Sequence, residues 1–374
     1  MTSPAPKAGD PGQRHHRIVV AGLPGPVSGA VVRALRQTDP GGPPPTLLLH
    51  APPTRRGDSR PVGGPDDPPE TVIVDLTSPD IAGYLLGAEA VVFIPLDTAP
   101  DLSLAQLPHS HRAELVRLTE TLATAAAAAG VGHLVAITSA RVYGALPDNP
   151  VPLPDEAPRR ASHSQGQAGD LAVVEDVLDR ARATYPHLVV TSVRAAAVVA
   201  ADVEGCDVAV SRYLEAPRLL VLRGSEPRWQ FCHLDDLGSA VAAVLSDRLA
   251  PVVTVASSGF LTQAELEHLA GNRRIELADK LAVVTVQRLH KAGQMSIRHN
   301  DLDFLRHPWV VSTQRLLDSG WRPAHDNSEC LQLLLTAVSA GRDKPTAWPK
   351  TALGTASAAV AIVATAVVRR RLKR

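Results

Sequence analysis

From Arg17 onward, short apolar runs alternate with longer amphipathic stretches, and this rhythm constrains the fold more than any motif in the chain. The runs RIVVAG (17–22), TLLLH (46–50), TVIVD (71–75), AVVFI (90–94), HLVAITS (133–139) and LVVTSVR (188–194) read as strands. Between them, VSGAVVRALRQ (27–37), LVRLTETLATAAAAAG (115–130) and DLAVVEDVLDRARA (170–183) read as helices. Repetition of this kind builds βαβ units, so the expected fold is α/β, with six parallel strands in a doubly wound sheet.

Two segments break the rhythm early. APPTRRGDSRPVGGPDDPPE (51–70) is too rich in proline and glycine for regular structure and reads as a long surface loop, and ALPDNPVPLPDEAPRR (145–160) reads as another Pro-rich loop. Beyond about residue 200 the alternation fades, apart from the helix LGSAVAAVLSD (237–247) and the strand VVTVA (252–256). The expected organisation is a leader (1–16), a nucleotide-binding domain (17–200), and a smaller, mostly helical substrate-type lobe with returning sheet elements (201–340). A linker (341–350) and an apolar helix with a basic tail (351–374) follow. The leader lacks the apolar core of a secretory signal, which predicts a cytoplasmic domain. His15 and His16 within it read as a solvated pair.

Charge excludes one class of partner. The 38 basic and 38 acidic residues balance, leaving no overall field for nucleic acid. Cys206, Cys232 and Cys330 are few and widely spaced, so neither a disulfide framework nor a zinc site is expected.

After the first strand comes Gly22-Leu-Pro-Gly25-Pro-Val-Ser28-Gly29, directly followed by a helix. Glycines at such a turn let the backbone approach a pyrophosphate, which then meets the free N–H groups of the helix N-terminus. Four later segments share their order and wording with one family. They are VDLTSPDIAGYLLGAEAVVFI from Val74, TSARVYG (138–144), VRAAAVV (193–199) and WQFCHLDDLGSAV (229–241). With Trp309-Val-Val and Gly320-Trp-Arg-Pro, the chain over roughly 17–335 resembles the NAD-dependent epimerase/dehydratase family of extended short-chain dehydrogenases. The resemblance implies a Rossmann-type fold that binds NAD or NADP. It puts Gly22, Gly25 and Ser28 at the phosphates, Asp75 and Leu76 at the adenine, Pro95 beneath the cofactor and Ser139 in the place of the catalytic serine. It also implies a nucleotide-sugar-like substrate.

The chain departs from that family where proton transfer is done. No lysine occurs between Lys7 and Lys280, and counting back from Glu175 puts Gln167 and Leu171 where the family has a tyrosine and a lysine. An unassisted phenol titrates near pH 10, so without the lysine's charge even a well-placed tyrosine is a poor base. Tyr143 is the remaining phenol close to Ser139 in sequence, at a place where the family has a packing residue. Pro24 and Pro26 flank Gly25, and a proline offers no N–H to a phosphate oxygen. Ser28 replaces the third glycine, and Pro95 and Leu96 replace small residues under the nicotinamide, narrowing that half of the cleft. The second strand ends at His50 without the acidic residue that holds a ribose hydroxyl, whereas Arg55 and Arg56 lean toward NADP.

His233, Asp235 and Asp236 read as structure, with a carboxylate capping the helix that follows. His109 and His111 stand at a helix entry without acidic or thiol neighbours, and no metal is expected. Residues 351–368 carry no charge and as a helix would span about 27 Å, close to the roughly 30 Å of a bilayer core. Arg369, Arg370, Arg371, Lys373 and Arg374 follow, which suits a span or a surface helix on anionic lipid. Gly354 and Ala358 would permit a homodimer. The expected function is a membrane-associated NAD(P)-binding relative with weak or absent family chemistry. The alternatives are an active oxidoreductase or epimerase relying on Ser139, and a scaffold with an empty cleft.

Overall fold

The computed structural model describes residues 17–50, 70–95, 108–162, 166–202, 206–215, 218–271, 273–278 and 299–343. At its centre is a seven-stranded parallel sheet built from β1 (Ile18–Gly22), β2 (Thr46–His50), β3 (Thr71–Val74), β4 (Ala90–Ile94), β5 (His133–Ser139), β6 (Val189–Ala195) and β11 (Val252–Val255). The order across it is β11-β6-β5-β4-β1-β2-β3, so the chain reverses direction between β4 and β1. Six strands match the sequence expectation. The seventh is the run at 252, which joins the edge beside β6 with Val253 opposite Val193.

Both faces of the sheet's central strands are covered, which is why they read as continuous apolar runs, whereas edge strand β3 leaves Ile73 exposed. On β4, Val92 and Ile94 face one apolar layer, with helices α1 (Pro26–Thr38) and α6 (Leu234–Ser246). Val91 and Phe93 face the other, with α2 (Ile81–Leu85), α3 (Pro108–Ala128) and α4 (Gly166–Thr184). α1 and α6 meet closely, because a Cβ on Gly238 would stand 2.6 Å from the Ala30 carbonyl oxygen. Any side chain there would push the helices apart.

The C-terminal elements combine helices with short returning strands. Short strands pair as β7 (Ala197–Val199) with β10 (Phe231–His233), β8 (Arg218–Leu222) with β13 (Arg273–Leu277), and β9 (Arg228–Trp229) with β12 (Leu261–Thr262). Helices α5 (Val208–Glu215), α7 (Gln263–Ala270), α8 (Gln314–Asp318) and α9 (Asn327–Asp343) surround them. Buried amides lace these pieces together. Gln230 Nε2 donates to the carbonyls of Ser257, Gly259 and Val311, and its Oε1 accepts the Val311 N–H.

Among the described residues no helix is long and apolar enough to cross a membrane. The leader, Arg55, Arg56, Leu96 and the apolar segment 351–368 with its basic tail lie outside the described residues.

Candidate functional site

In an open parallel sheet, ligands bind outside the carboxyl ends of the strands at the point of reversal, here between β1 and β4. Gly22 ends β1 opposite Ile94 of β4, with φ 157°. A Cβ on it would meet the Ile94 carbonyl oxygen at 2.2 Å, so only glycine lets the turn lie this close to β4. The Leu23 N–H then donates to that same oxygen at 3.3 Å.

Gly25 is the N-cap of α1, and no side chain caps the helix there. Its first turn therefore directs N–H groups at the crevice without a protein side-chain acceptor, an arrangement that suits a phosphate. Pro26 opens the helix and removes one of those donors. Ser28 is buried, and its hydroxyl donates back to the Gly25 carbonyl at 2.7 Å, so serine fits the third-glycine position without entering the crevice. Pro95 is buried directly after β4. Gly22, Gly25, Ser28 and Pro95 thus gather at the reversal point.

Asp75 and Leu76 follow β3, on the far side of β2. Asp75 Oδ1 accepts from the Thr77 N–H (2.9 Å) and hydroxyl (2.6 Å), which folds the turn. The Leu76 N–H donates to His50 Nδ1 at 3.2 Å, and His50 Nε2 lies 3.3 Å from Glu114 Oε1 on α3. Sequence reasoning missed this contact, since no local periodicity links residues 64 apart.

Ser139 lies across β4 from the glycine turn, at the end of β5. Its hydroxyl is 3.4 Å from the Ala195 carbonyl and accepts the Arg141 N–H at 3.3 Å, capping the 3₁₀ turn Ala140–Tyr143. Both contacts are those of a local satisfier. Tyr143 is fully buried, and its hydroxyl donates to the Asp155 carbonyl at 2.8 Å. Burial pushes its phenol up to about 12, against the opposing pull of Arg194, whose guanidinium lies 4.6 Å from the ring centroid. That phenol is not a base near neutral pH. On α4, Gln167 is exposed and Leu171 is buried at 3% exposure.

Beyond Ser139, Arg141 reaches into the C-terminal elements. Its guanidinium pairs with Asp207 at 3.1–3.3 Å and lies 4.7 and 4.9 Å from the ring centroids of Phe304 and Trp309. Asp207 Oδ1 also accepts the Ala209 and Val210 N–H groups at the start of α5. A cavity of about 10 Å³ among Trp229, Phe304 and Trp309 is what remains beside this pair.

The His-Asp cluster is structural, with one correction. The cap of α6 is His233 itself, whose Nδ1 accepts the Asp235 N–H at 3.2 Å, and both aspartates lie inside the first turn. Buried Asp236 accepts the Ala324 and His325 N–H groups, tying α6 to the segment before α9. Asp235 pairs with Arg33 of α1 at 2.8 Å. His109 and His111 fall in the first turn of α3, a helix entry as expected.

The sequence profile of the NAD dependent epimerase/dehydratase family matches residues 18–255, more than half of the chain. Uncharacterized proteins of Mycobacterium tuberculosis and Mycobacterium bovis are 24% identical over 199 residues, 52% of this chain and 52% of theirs. The chain thus spans about half the length of the curated relatives it matches. The fold resembles that of gox2253 with a TM-score of 0.65 at 17% identity, covering 87% of this chain and 98% of that one. The dTDP-glucose 4,6-dehydratase DesIV from Streptomyces venezuelae, with NAD and TYD bound, gives 0.62 at 20% identity, covering 87% and 98%. MoeE5 in complex with UDP-glucuronic acid and NAD gives 0.59 at 20%, covering 87% and 99%.

Proposed function

We propose, for a chain that belongs to the NAD-dependent epimerase/dehydratase family, that it holds a dinucleotide at the β1–β4 reversal without performing the family's proton-transfer chemistry. What supports this reading is α4, where the resemblance puts exposed Gln167 and buried Leu171 at the positions of the family's phenol and ammonium. Neither group moves a proton at neutral pH. The nearby hydroxyls do not replace them, since those of Ser139 and Tyr143 are both turned to backbone partners.

The pyrophosphate end fits the group. Gly22 makes room by its lack of a Cβ, and the uncapped first turn of α1 offers N–H donors. A bound NAD supplies a hydride acceptor at its nicotinamide; the chain's own residues hold it, narrow the cleft at Pro95 and leave its redox state unchanged. A sensing or holding module follows from this reading. The UDP-glucuronic acid bound to MoeE5, and the dTDP-glucose in DesIV's enzyme name, support a sugar-nucleotide class for any second ligand beside Ser139.

The sequence adds a place for the module. Residues 351–368 are uncharged and lead into five basic residues among the last six, a composition that supports contact with a bilayer.

Calorimetric titration of the full chain with NAD tests the binding. Saturable heat is expected, and it should vanish in Gly22→Ala, whose Cβ displaces the turn from β4. No heat with NAD or NADP in the unaltered chain would leave an empty scaffold as the better account.

A further inference from the structure

β2 ends without a carboxylate, yet the fold brings one to that strand end from elsewhere. The Leu76 N–H can only donate, so His50 Nδ1, 3.2 Å away, must be the accepting nitrogen, and the ring proton sits on Nε2. Nε2–H then donates to Glu114 Oε1 at 3.3 Å. The His50 side chain is 5% exposed and that of Glu114 is 39% exposed, so the imidazole is fixed and the carboxylate opens toward solvent. Among the described residues His50 is its one hydrogen-bonding partner, and no described lysine or arginine pairs with it.

In folds of this kind the adenosine ribose lies at the end of the second strand, where a carboxylate accepts from its hydroxyls. We infer that Glu114, held by His50, sets the dinucleotide preference of this chain, supplying from α3 the carboxylate that β2 lacks and selecting NAD over NADP. The free oxygen of Glu114 can accept from a neutral ribose hydroxyl. A 2′-phosphate in the same place brings negative charge against a half-buried carboxylate, which rejects that ligand by repulsion and reverses the lean toward NADP that Arg55 and Arg56, outside the described residues, give in the sequence. This inference rests on the dinucleotide reading above.

The test is a pair of titrations, NAD and NADP, on the full chain and on Glu114→Gln. Glutamine keeps an oxygen for His50 and removes only the charge. The unaltered chain should bind NAD at least about tenfold tighter than NADP, and Glu114→Gln should narrow that ratio to about threefold or less. Glu120→Gln, on the same helix and paired with Arg180 at the surface, should leave the ratio as it was. If Glu114→Gln unfolds, Glu114→Asp keeps the charge and should still reject NADP while holding NAD more weakly. A preference for NADP in the unaltered chain, or an unchanged ratio in Glu114→Gln, overturns the inference and leaves dinucleotide binding standing. Failure of both nucleotides to bind the unaltered chain removes the dinucleotide reading itself, and this inference with it.

Discussion

Single residues decide how much of the phosphate turn survives. Gly22 is indispensable on steric grounds, whereas Ser28 is tolerated because its hydroxyl folds onto Gly25. Pro26 is the costly one, since it deletes a donor from an otherwise uncapped helix start. Restoring that N–H in Pro26→Gly should strengthen NAD binding by about 1.5–3 kcal/mol, roughly ten- to hundredfold, as read by calorimetry. The helix itself should lose about 0.5–1 kcal/mol in thermal unfolding, because proline favours the first helical position. These substitutions were legible in the sequence because they sit inside one short motif. The His50–Glu114 and Arg141–Asp207 contacts were not. They join residues 64 and 66 apart, and only the folded sheet brings them together.

At the scale of elements, α4 is fastened to the sheet by charge as well as by apolar packing. Glu175 is fully buried, accepting from the Thr138 hydroxyl of β5 at 2.7 Å, from Arg194 Nε of β6 at 3.0 Å and from Arg159 Nη1 at 3.2 Å. Removing one partner of such a network strands the others in low dielectric. Glu175→Gln should therefore destabilise the fold by about 3–5 kcal/mol in chemical denaturation. A double replacement of Glu175 and Arg194 by apolar residues of similar volume should cost less than either single change. In the sequence Glu175 and Asp176 interrupt an otherwise apolar run, and nothing local shows that Glu175 meets Arg194 and Arg159, 19 and 16 residues away. Strand runs were easier to recognise, since burial on both faces leaves an unbroken apolar signature. Position within the sheet was harder. The run at 252 read as a strand, but its pairing with β6 depends on a crossover through the intervening C-terminal elements.

Across the whole molecule, the proposed reading is a dinucleotide cleft kept on a fold in which Gln167 and Leu171 take the positions of the family's proton relay. In the proposed reading, the C-terminal sequence places that cleft at a membrane. If 351–368 lie along anionic lipid, attraction of about 1 kcal/mol per basic residue makes the association salt-sensitive. Fractionation at low salt should put the full chain with membranes, and a chain ending at Lys344 should stay in solution. Recovery of the full chain in the soluble fraction would leave the apolar segment without a membrane role. The central claim concerns the relay, and the most direct measurement is the redox state of the nicotinamide. The NAD-saturated full chain is incubated with sugar nucleotides, and reduced nicotinamide is followed by its fluorescence. No reduced cofactor should form, in the unaltered chain or in Ser139→Ala. Steady formation of reduced nicotinamide, or of a converted sugar, would contradict the account.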